Sequence, residues 1–136
     1  MTRRDKLARK ASDWMAHARE DLLAARGMLA MQPPLGRPAA FHAQQCAEMA
    51  IKSWLIHSGV EFPYTHDMRR LLMLCGSELW VNELSGAESL TRFATTARYG
   101  DVEPVATIEE ATAAVALAES VFNQVFARLV SEGIVL

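Results

Sequence analysis

"FHAQQCAEMAIKSWL", Phe41–Leu55, decides the fold. At about 100° per residue, Ala43, Ala47, Ala50, Ile51 and Trp54 fall on one side of a helix. Cys46, Met49 and Ile56 fall on another. A helix that is apolar on two sides wants two neighbours. One is the protein's own core, and the other is expected to be a second copy of the chain. Between the two apolar sides run Gln45, Glu48 and Lys52, with His42 at the margin. Glu48 and Lys52 stand at i,i+4 in the favoured order for a pair. Two readings of this stripe stay open: a seam against a neighbour, or a solvent-facing line with one weak surface ion pair.

Outward from this helix, proline and glycine punctuate the chain. "QPPLGRP" separates it from a first helix over about Asp5 to Met31. There Leu7, Ala11, Trp14, Ala18, Leu22, Ala25 and Leu29 recur at three- and four-residue steps. The central helix is expected to start near Pro38, since proline is tolerated in a first turn, and to end before Gly59. After the loop "GVEFPYT", Thr65 can cap a short helix, "HDMRRLLMLC", that stops at Gly76. A fourth helical piece spans roughly Asn82 to Thr96, and "ARYGDVEPVA" is a loop. "TIEE" opens the last helix, with Thr107 and Glu110 spaced as a capping box. Ile108, Ala111, Val115, Ala118, Phe122, Val125 and Leu129 then form a long stripe. No alternating run argues for a strand. The expected fold is all-α: an antiparallel up-and-down helical bundle of four main helices plus a short extra helix, in one domain over residues 1–136.

Composition narrows the function classes. A net charge of −2 gives no global field toward nucleic acid or anionic lipid. The first ten residues are locally basic, with Arg3, Arg4, Lys6, Arg9 and Lys10 against Asp5. This arm is either a solvated helix start or a phosphate contact. Cys46 and Cys75 form no CxxC and read as two reduced thiols. No apolar stretch reads as membrane-spanning and no signal-peptide order is seen, so the chain is expected to be cytoplasmic, without a membrane. The four histidines and two cysteines show no metal-ligand spacing, and neither a metal nor another cofactor is expected. His57 reads as a helix-end residue, and Trp14, Trp54 and Trp80 as core. Asp21, near the buried side of the first helix, needs a cation or donors unless it sits at the rim. Lys52, His66 and Arg98 are the candidates.

Four segments in order carry a resemblance: "AREDLLAARGML", "FHAQQCAEMAIKSWL", "YTHDMRRLL" and "ARYGD". Together they resemble the HEPN (higher eukaryotes and prokaryotes nucleotide-binding) domain over nearly the whole chain. The resemblance implies a four-helix bundle, usually a homodimer. Its members include ribonucleases, toxins paired with small nucleotidyltransferases, and proteins without demonstrated activity. Residue by residue, Asp21 matches the acidic position of the first helix, and Gln45, Glu48 and Lys52 the polar line of the second. His66 and Asp67 match the "tHd" element, and Arg98 and Tyr99 the "RY" element.

The family's ribonucleases follow that arginine, after four to six residues, with a histidine. The arginine binds the scissile phosphate and the histidine moves the 2′-hydroxyl proton. Here no histidine follows Arg98, and Glu103 occupies one of the possible spacings. "RPAAFH", Arg37–His42, satisfies the spacing by letter but lies before the second helix. The leading expectation is therefore a non-enzymatic, dimeric module that binds a nucleotide or RNA, or partners a nucleotidyltransferase in a toxin–antitoxin pair. Its ligand site would comprise Asp21, Gln45, Glu48, Lys52, His66, Arg98 and Tyr99, with Arg98 paired to Asp21 or Glu48. A metal-independent ribonuclease using Arg98 with His66 or His42 is the alternative, and a purely structural dimer is the third reading.

Overall fold

A computed structural model describes residues 1–94 and 106–136 of the chain. Its elements are α1 (Arg3–Ala30), α2 (Gly36–His57), α3 (Met68–Leu74), α4 (Leu79–Asn82), a 3-10 segment (Ser85–Phe93) and α5 (Ile108–Ser131). No strand occurs among the described residues. The all-α bundle is as expected, with differences at the element ends.

α1 begins two residues earlier than expected. Thr2 accepts from the Asp5 amide while the Asp5 carboxylate accepts from the Thr2 amide, a reciprocal cap that satisfies two free donors of the first turn. α2 starts at Gly36 rather than Pro38 and has no side-chain cap. The cap of α3 is Asp67, which accepts from the amides of Arg69 and Arg70. Thr65 instead accepts from the Asp67 amide and so positions the capping residue. The fourth helical piece splits into α4 and the 3-10 segment, and its expected end at Thr96 lies outside the described residues. Thr107 and Glu110 form the expected capping box on α5. Arg92 reaches Glu110 at 2.6 Å, tying the 3-10 segment to the start of α5.

α2 is the axis of the bundle. It packs on α1 and α5 along its length and touches α3 and the 3-10 segment. Ala39, Ala40, Ala43, Cys46, Ala47 and Ala50 on α2 and Ala11, Ala18 and Ala25 on α1 are fully buried. Side chains this small let two backbones approach closely. Ser53 on α2 accordingly donates its hydroxyl to the Ala11 carbonyl of α1 at 2.7 Å. Asp21, further along α1, meets His42, further back along α2, which fixes the pair as antiparallel. The second apolar side of α2 is covered by the chain itself: Cys46 is fully buried, Ile56 is 7 % exposed and Met49 is half-buried. Its two-sided character therefore needs no second copy.

α5 contributes Ala111, Ala114, Val115, Ala118, Val121, Phe122, Val125 and Leu129 to the core. By length and composition this helix passes as a membrane span, which corrects the expectation that no stretch does. The three–four spacing of its buried residues is that of a core helix in a bundle, which passes the same test. Arg26 of α1 pairs with Glu119 of α5 at 2.6 Å across the outside of their junction. Trp54 and Trp80 meet edge to face, 5.0 Å apart, with the Arg128 guanidinium over the Trp80 ring.

Two glycines give opposite expectations. A Cβ on Gly36 would lie 2.7 Å from the Ala106 carbonyl oxygen, a backbone atom that cannot swing aside. Gly36→Ala is expected to destabilise the fold by about 1–3 kcal/mol, as overpacking does. A Cβ on Gly27, inside α1, meets nothing within 4 Å. Gly27→Ala should stabilise by about 0.5–1 kcal/mol through helix propensity. Urea unfolding of the two variants, read by circular dichroism, checks both signs.

Candidate functional site

The polar residues of α2 are not a solvent-facing line. Glu48 is 3 % exposed and Lys52 5 %. The Lys52 ammonium donates to Glu48 Oε2 at 3.0 Å. Gln44 Nε2 donates to Glu48 Oε1 at 2.8 Å, and His66 Nδ1 bonds the same oxygen at 2.8 Å. A carboxylate only accepts, so Nδ1 carries the hydrogen. That leaves Nε2 on the far side of the ring from Glu48, with the side chain 37 % exposed. Glu48 thus orients a histidine at the surface of the bundle from inside its central helix.

Gln44 was absent from the expected stripe, and it is fully buried. The line that makes the hydrogen bonds is Gln44–Glu48–Lys52, at strict four-residue steps. That spacing was readable from the position four residues before Glu48. Gln45, the expected member, lies beside it and donates to Gln44 Oε1 at 2.7 Å. It supports the cluster through Gln44 and does not touch Glu48 among the contacts described.

Asp21 lies at the half-buried rim of α1 with its carboxylate 2.9 Å from His42 Nδ1. The expected cations were Lys52, His66 and Arg98. Lys52 and His66 are instead engaged with Glu48, and the antiparallel register puts His42 opposite Asp21. Asp67 serves as the α3 cap. Arg98 and Tyr99 lie outside the described residues, and so does the expected pairing of Arg98 with Asp21 or Glu48. Both carboxylates have donors without it.

The loop between α2 and α3 completes the surface. Phe62 packs edge-on against Trp14 of α1, with ring centroids 6.2 Å apart. The Lys52 ammonium stands 5.6 Å from the Phe62 ring centre and 6.0 Å from that of Tyr64. Tyr64 in turn meets His66 edge to face at 5.5 Å. Phe62 and Tyr64 had no periodic signal in the sequence, because a loop has none. Among the described residues, no group of three or more His, Cys, Asp or Glu is arranged to hold a metal ion. The site as described can hold a carboxylate, orient an imidazole and offer aromatic faces.

A protein-family model described as "HEPN domain" matches residues 11–129. The fold is similar to the crystal structure of ST0689, an archaeal HEPN homologue. That pair shares 27 % identity, with 88 % of this chain and 97 % of the other covered, at a TM-score of 0.68. It is also similar to TT1696 from Thermus thermophilus, at 29 % identity, 88 % and 98 % coverage and a TM-score of 0.72. No curated protein matches the chain.

Two outcomes follow from the buried cluster. Lys52→Met leaves Glu48 without its cation and should cost about 3–5 kcal/mol in urea unfolding. A loss under about 1 kcal/mol would place the pair in solvent. Cys46 lies on the same helix, and burial first, then the nearby Asp21 charge, push its thiol up to about 12. It should stay unmodified by iodoacetamide at pH 8 in the folded protein and react once urea is added, as mass spectrometry reads directly.

Proposed function

Because the chain belongs to the HEPN domain family, we propose that it is a nucleotide- or RNA-binding module that works as a homodimer and partners a small nucleotidyltransferase. The observation that carries this reading is the Glu48 cluster. A bundle of this size has no folding need for a carboxylate and an ammonium inside its central helix. Replacing such a pair by apolar residues is often neutral or stabilising. The cluster instead keeps His66 oriented at the surface, next to the exposed ring of Tyr64. In this reading Asp21, Gln45, Glu48, Lys52, His66, Arg98 and Tyr99 serve one site. Glu48 and Lys52 hold its floor, and Arg98 supplies the planar fork that suits a phosphate.

The oriented imidazole also favours a second reading, a metal-independent ribonuclease. A carboxylate on Nδ1 with Nε2 turned away from it is the arrangement of a general base. The arginine–histidine motif is incomplete after Arg98, so His66 would have to supply the imidazole from a different element. His42, the other candidate, has the same arrangement at the rim of α1, with its Nδ1 on Asp21.

One series of measurements separates these readings. A ligand specific to the native state raises melting temperature by mass action. Under the binding reading, ATP, AMP or a short RNA should raise it in the wild type, less in Arg98→Ala, with the RNA recovered intact. RNA cleaved in the presence of a chelator, and spared by His66→Ala, supports the ribonuclease. No stabilisation and no cleavage would overturn both. Light scattering that finds only a monomer at micromolar concentration would remove the dimer.

A further inference from the structure

Tyr64 has a solvent exposure of 91 %, the highest of the large apolar side chains described. Its edge contact is His66, which Glu48 holds, and its other near neighbour is the Lys52 ammonium, held by the same carboxylate. An aromatic face this open to solvent is available for a base to stack on. Behind it Phe62 leads to Trp14 on α1. At about 100° per residue, Arg3, Lys6 and Lys10 lie within about 80° of Trp14 on that helix. All three are exposed. Asp5, the acidic residue of that stretch, points about 180° from Trp14 and is engaged in the α1 cap.

We propose that this face, from Arg3, Lys6 and Lys10 over Trp14 and Phe62 to Tyr64 and His66, is a track for single-stranded RNA in which Tyr64 stacks on a base. The inference rests on the nucleotide- or RNA-binding reading above and adds the form of the ligand and the residue that grips it. Interleaved cations and aromatic faces are what a single strand needs. The cations follow its phosphates, while each base has a π-face to stack whatever its identity. Unpaired RNA presents its bases splayed out for such stacking, whereas a duplex hides them. The cations come from one helix and the free ring from one loop, so the track has a direction: phosphates toward the start of α1, a base at the α2–α3 loop. The net charge of −2 makes this a local attraction of one face.

The test is fluorescence anisotropy with a labelled twelve-nucleotide oligo(U), its DNA counterpart and an RNA duplex. Wild type should bind the RNA strand more tightly than the DNA strand or the duplex. Tyr64→Ala should weaken binding about fivefold to a hundredfold, the range of one lost stacking contact. Tyr64→Phe should restore it. Because the ring is exposed, both variants should melt like wild type. The double variant Lys6→Gln/Lys10→Gln should flatten the salt dependence, by about 0.7 per lost phosphate contact in the slope of log K against log salt. Tyr64→Ala binding like wild type overturns the track while leaving the nucleotide- or RNA-binding reading in place. A DNA strand bound as tightly overturns the assignment to RNA. A wild type that stabilises with nucleotide yet binds no RNA strand overturns the track alone, and one that binds neither removes both.

Discussion

An ion pair inside the central helix sets the terms for the rest of this structure. Glu48 and Lys52 stand one turn apart on α2, both almost sealed from water, in the element on which α1 and α5 pack. Removing two charges from water is costly, and their attraction offsets the cost only with good geometry and further hydrogen bonds. Gln44 supplies one donor from a turn earlier, and His66 supplies another from a loop eighteen residues on. The α2–α3 loop is therefore held to the core by an electrostatic need of the core. Its aromatic residues, Phe62 and Tyr64, lie near the same ammonium, 5.6 and 6.0 Å from their ring centres.

Most of the bundle was legible because its periodicity is long. The alanine and leucine positions of α1, the two apolar sides of α2 and the stripe of α5 from Ala111 onward are where the spacing puts them, while Ile108, expected to open that stripe, is 40 % exposed in the first turn of the helix. The Thr107–Glu110 cap was visible as well, since both partners lie within one turn. Ends were less legible. Thr2 caps α1 although it precedes the first apolar residue by five positions, and Asp67 caps α3 where Thr65 offered the same chemistry two residues earlier. Choosing between two adequate caps depends on where the chain must enter the helix, which the local sequence does not encode.

The candidate site divides in the same way. Glu48 and Lys52 were readable as a pair because four-residue spacing brings them together on any helix. Whether that pair was buried was not readable, since it depends on what covers α2. Gln44 stands four residues before Glu48, as Lys52 stands four after it, whereas Gln45 is off that spacing by one residue. The partner of Asp21 could not be found by spacing at all. Lys52 and His66 were sensible candidates by charge. The antiparallel register excludes them and brings His42 alongside, and register is a property of two helices together.

The alanine interface between α1 and α2 has a mechanical consequence. With Ala11, Ala18 and Ala25 on one side and Ala39, Ala43, Ala47 and Ala50 on the other, much of what the two helices bury is methyl groups, and Met15 and Leu22 are the larger buried side chains of α1. The Ser53 hydroxyl on the Ala11 carbonyl and the Asp21–His42 contact pin the pair at two points about fifteen ångströms apart along α1, at about 1.5 Å per residue. A long, flexible side chain can change rotamer and let neighbouring helices slip; a methyl group has no rotamer to change. The pair behaves as a rigid beam. Any adjustment on engaging another molecule falls on the parts hung from that beam, first the α2–α3 segment.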